Sequence, residues 1–152
     1  ASSATMMACS RAPEPRTRIF TPTAYRRYRE RMARTITIDE GRAALRAVDA
    51  AAEASTAPAR AELATAVRYL LQLLVERAPG GTLEVRVPPF GAVQCVPGPR
   101  HTRGTPPNVV EMDAATWLAL ARGTLGWPEA LAAGRVQASG MRADLSGLVP
   151  LR

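Results

Sequence analysis

Lysine is absent, so all 20 basic residues of this 152-residue chain are arginine. With abundant Ala, Gly and Pro, that is what GC-rich coding DNA yields, and it identifies no function. A single histidine, His101, excludes a clustered-histidine metal site. The two cysteines, Cys9 and Cys95, lie far apart without CxxC spacing. They form neither a disulfide framework nor a zinc site and fit a reducing cytoplasm, the expected location. Aromatics make up only 5% of the chain. No run approaches the roughly 18 apolar residues of a membrane span, so a soluble protein with no transmembrane segment is expected. No apolar stretch near the N-terminus resembles a secretory signal.

What is present is unevenly distributed. The net charge is +7, but residues 1–34 carry +6 of it and residues 35–152 only +1. The basic charge belongs to the Arg-, Ser-, Thr- and Pro-rich segment 1–34, so no specific nucleic-acid partner is expected for the rest. Residues 1–34 read as a disordered basic tail, or as an extension ahead of a start at Met32. Residues 35–152 read as one domain, long enough for a real core.

Along that domain, Thr37 and Glu40 have capping-box spacing, and Leu45, Val48 and Ala52 follow on one helical face. Residues 59–77 form the strongest amphipathic helix. Leu63, Ala66, Val67, Leu70, Leu71 and Leu74 share one side, and Pro79-Gly80-Gly81 ends it. Residues 82–87 alternate, with Leu83, Val85 and Val87 inward and Thr82, Glu84 and Arg86 outward. Pro88-Pro89 marks a strand end. Strands are expected over 90–96 and 108–112, with a loop at 97–107 holding four prolines. Asp113 caps a helix that carries Trp117 and Leu120 and stops at Gly123. Pro128 opens another, with Leu131 inward and Gly134 at its end. Residues 135–139 alternate as a last strand, and 144–148 suit one helical turn. The predicted class is α+β: a small, mostly antiparallel sheet of about four to five strands in a meander, covered by helices.

The run from Trp127 to Gly140, with Val87 to Cys95 and Arg100 to Glu111, resembles the sterol carrier protein family. Its central stretch is similar to small stand-alone actinobacterial sterol-carrier-like proteins, and the resemblance covers roughly residues 36–151. The resemblance implies a sheet covered on one face, an apolar cavity between the layers, and binding of sterols, fatty acids or acyl chains without chemistry. The expected cavity walls are Leu70, Leu74, Phe90, Val93, Trp117, Leu120, Leu125, Trp127 and Leu131. Related domains are also accessory modules of mycothiol-dependent isomerases, whose catalytic part needs several histidines. This chain has one and is not such an enzyme alone.

Among polar residues, Arg100, His101 and Arg103 concentrate donors in the 97–107 loop and form the candidate anion or headgroup site. Cys95 and His101 stand six apart, but no residue is evident to orient a Cys–His pair. Cys95 reads as a buried apolar residue within a strand. No catalytic residue, metal or cofactor is therefore expected. The reading is a non-catalytic carrier or binding domain for an apolar or amphipathic molecule. The alternative is a structural or protein-interaction domain with a filled core and a partner at loop 97–107.

Overall fold

A computed structural model describes residues 35–98 and 107–151. Among these residues the elements run α1 (Ile38–Glu53), α2 (Arg60–Arg77), β1 (Leu83–Val87), β2 (Gly91–Cys95), β3 (Val109–Met112), α3 (Ala114–Arg122), α4 (Trp127–Ala132) and β4 (Val136–Ser139). Four helices and a four-stranded sheet make the α+β class expected.

The helix signals behave as their chemistry requires. The Thr37 hydroxyl accepts from the Glu40 amide at 3.2 Å, and the Thr37 amide donates to the Glu40 carboxylate at 2.9 Å. This closes the capping box of α1. Asp113 accepts from the Thr116 amide at 2.7 Å to start α3. Gly123, at φ 79°, ends α3 in the left-handed region that glycine enters without a Cβ penalty.

The packing face of α1 is rotated from the one expected. Gly41, Ala44 and Val48 are buried, Leu45 is half-buried and Ala52 is exposed. The cause lies in α2, where Tyr69 seats its ring directly on Gly41 and a Cβ there would overlap it. Small residues at 41 and 44 let the two helices approach closely. The exposed Arg122–Asp49 pair, two contacts of 2.6 Å, adds at most about 1 kcal/mol to holding α1.

The strand order is β2-β1-β3-β4. β1 pairs antiparallel with β2, and Val85 faces Val93. β3 lies parallel to β1, with Val85 opposite Val110, and β4 is antiparallel to β3. Two of three pairings are antiparallel, but the expected meander is not the topology: β3 pairs with β1 on the side opposite β2. The proline-rich segment 96–108 does not close a tight hairpin, and α2 lies along β2. There the Arg68 Nε donates to the Phe90 carbonyl at 2.8 Å, and Leu71 packs on Gly91.

Leu83, Val85, Val87, Val110, Met112 and Val136 face the helices and are buried. The opposite face carries Glu84, Arg86, Glu111 and Gln137, half-buried or exposed. Thr82, expected outward, is buried and donates to the Pro97 carbonyl at 3.2 Å. Buried Asn108 donates to the Thr82 carbonyl and accepts from the Arg142 amide, each at 2.9 Å. It ties together the starts of β1 and β3 and the turn after β4. Where a last helical turn was expected over 144–148, Leu148 and Val149 donate to the Leu145 carbonyl in a hydrogen-bonded turn outside any helix, and Leu151 donates to the Ala121 carbonyl at 2.8 Å.

Trp117 lies at the centre, fully buried, its indole N–H donating to the Val67 carbonyl at 3.3 Å. Trp117→Ala should lower stability by about 3–5 kcal/mol in urea unfolding followed by circular dichroism. Trp117→Phe should lower it less. Gly41→Ala tests the helix contact by its sign. Alanine favours a helix by about 1 kcal/mol over glycine, yet this substitution should destabilise, and a Tyr69→Ala background should turn the effect back to stabilising.

Candidate functional site

The expected cavity walls divide into three groups. Leu70, Leu74, Trp117, Leu120, Leu125 and Trp127 come together in one buried cluster between the sheet and α2 and α3. They are in contact range of core side chains rather than exposed to solvent. Phe90 and Val93 sit at the β1–β2 turn and on edge strand β2, partly buried against that cluster. Leu131, expected inward, is 39% exposed. The buried positions of the short α4 are Trp127 and Ala130. Leu131 follows Ala130 by about 100° around the helix and so misses the core.

Arg100, His101 and Arg103 lie outside the described residues, as does most of the 97–107 loop. The roots of that loop are held. Pro97 accepts from Thr82, and Asn108 links Thr82 to Arg142.

Cys95 is buried and unpaired, and burial pushes its thiol from the ordinary 9.0 up to about 11. At neutral pH it is a neutral thiol, not a nucleophilic thiolate. Among the described residues, no group of three His, Cys, Asp or Glu side chains is placed to hold a metal ion. No helix there is long and apolar enough to cross a membrane.

A second place was not found by sequence reasoning. An open groove of about 470 Å³ lies where β3 ends and β4 begins, lined by Pro88, Glu111, Met112, Asp113, Arg135 and Gln137 among others. None of the nine expected wall residues lines it. Its polar geometry centres on buried Thr116: Asp113 accepts from the Thr116 amide, and the Arg135 Nε donates to the Thr116 hydroxyl at 3.2 Å. Glu111 stands 3.8 Å from Arg86, which is paired with Glu84 at 2.6 Å. The hydrogen bond and charge of Glu84 hold the Arg86 guanidinium above its ordinary value. Asp113 was legible as a helix cap, but no spacing in the sequence joins it to Arg135.

Residues 59–151 match the family model described as bacterial SCP ortholog. The match begins at α2, so α1 lies outside it. No curated protein matches the chain.

The raised thiol of Cys95 fixes a pH signature. Folding favours the protonated form, so its contribution is complete below about pH 9 and is lost as pH rises through about 11. The stability difference between the wild-type chain and Cys95→Ala should therefore shrink over that window. In a Cys9→Ser background, Ellman's reagent should react with Cys95 only after denaturant is added.

Proposed function

Because the chain belongs to the bacterial SCP ortholog family, we propose that it is a non-catalytic carrier domain for an apolar or amphipathic small molecule, namely a lipid, sterol or acyl chain, and that it works in the cytoplasm. The observation that carries the reading is this membership together with the layering: α2 and α3 cover one sheet face over an apolar cluster against which Phe90 and Val93 are only partly buried. The ligand enters at Phe90 and Val93 and rests against Leu70, Leu74, Trp117 and Leu120, with Leu125 and Trp127 closing the far side. Those residues are buried in one cluster, and on this reading α2 moves away from β2 to admit the ligand. An anionic headgroup meets Arg100, His101 and Arg103 on the loop beyond β2. The neutral buried thiol of Cys95 supports the absence of thiolate chemistry.

The burial of these apolar residues in one cluster also favours a second reading, a structural or protein-interaction domain that contacts a partner through the 97–107 loop. The two separate in one experiment on the full chain purified without detergent: native mass spectrometry with organic extraction, then titration with a fluorescent fatty acid. The carrier reading expects a co-purifying lipid or saturable probe binding. Val93→Arg, at the partly buried rim, should weaken the probe at least tenfold while the far-ultraviolet spectrum stays unchanged. Neither lipid nor probe binding would leave the interaction reading in its place.

A further inference from the structure

We propose that the groove at the end of β3 is a binding site for a small zwitterion, a molecule joining an ammonium group to a phosphate or carboxylate. It lies at the opposite end of β3 from Asn108 and is independent of the apolar-ligand reading.

The argument starts from two opposite charges that share one anchor and do not neutralise each other. Thr116, fully buried in the first turn of α3, holds the Asp113 carboxylate through its amide and the Arg135 guanidinium through its hydroxyl. Both side chains line the groove. Yet among the described residues neither forms an ion pair. The Arg135 Nε is taken by a neutral hydroxyl, which leaves the two Nη groups to donate. One Asp113 oxygen is committed to the cap, which leaves the other to accept. Glu111 adds a second carboxylate whose only ion pair among the described residues, to Arg86, is long at 3.8 Å.

This pattern selects the ligand class. A simple anion would meet Arg135 but also the carboxylates of Asp113 and Glu111. A simple cation would meet the carboxylates but also Arg135. A molecule with both charges satisfies both halves, its anionic end on the Arg135 fork and its ammonium N–H groups on Asp113 and Glu111. Pro88 and Met112 supply the apolar part of the lining. A volume of about 470 Å³ is within the usual range for small-molecule sites.

The test uses phosphoethanolamine as the probe and nuclear magnetic resonance titration of the full chain. Saturable shifts are expected at residues 111–116 and 134–137. Inorganic phosphate, ethanolamine and phosphocholine, which lacks N–H donors, should each bind about tenfold more weakly, the loss of one charge-assisted contact. Asp113→Asn keeps a competent helix cap and removes only the charge, and Arg135→Gln removes the fork. Each should weaken phosphoethanolamine about tenfold, Asp113→Asn with an unchanged unfolding midpoint. Phosphatidylethanolamine vesicles that compete with the soluble probe would identify a lipid headgroup as the ligand; vesicles that do not would identify a free metabolite. The proposal is overturned by the absence of saturable shifts, by phosphate alone binding equally well, or by both variants retaining wild-type affinity.

Discussion

The contact between Trp117 and Val67 is the constraint on which the other elements depend. The Trp117 ring is the largest fully buried side chain, and its indole N–H must find an acceptor once removed from water. The Val67 carbonyl of α2 supplies one at 3.3 Å. That bond sets α3 against α2 at one register. The sheet then fits beneath both helices, with Val85, Val87 and Val110 closing the layer. α1 joins from outside through Gly41 and Tyr69, and the C-terminal segment closes over α3 through Leu145 and Leu151.

The same constraint decides where binding chemistry can be. Six of the expected cavity residues are buried in the cluster around Trp117. Unneutralised polar groups instead gather at the rim, where β3 runs into the cap of α3. Among the described residues Asp113 and Arg135 form no ion pair, and each is hydrogen-bonded to Thr116, one through its amide and the other through its hydroxyl. The apolar cluster and the charged groove therefore occupy separate places: one between the layers, the other at the end of the sheet.

Much of this was legible in the sequence where local chemistry decides. The apolar face of α2, the alternation of β1, the caps at Thr37 and Asp113 and the stop at Gly123 all follow from spacing and side-chain type. The misses have one cause. Ala52, Leu131 and Thr82 were placed by periodicity alone, but which side of an element is buried depends on what packs there. Tyr69 turns α1 toward Gly41, α4 is too short to bury a third position, and Thr82 turns inward to serve the Pro97 carbonyl. The candidate site divides in the same way: the apolar walls were named from their residue types, whereas the Asp113–Thr116–Arg135 cluster was not.

By itself the sequence determined the element types, their order, the apolar composition of the core and the concentration of basic charge in residues 1–34, because each is set by local propensity, capping chemistry or simple composition. Only the tertiary structure decided that β3 pairs with β1, that six of the expected walls are buried in one cluster, and that Arg135 meets Asp113 at Thr116. These depend on contacts between residues distant in the chain, and pairwise packing of that kind leaves no periodic mark in a single sequence.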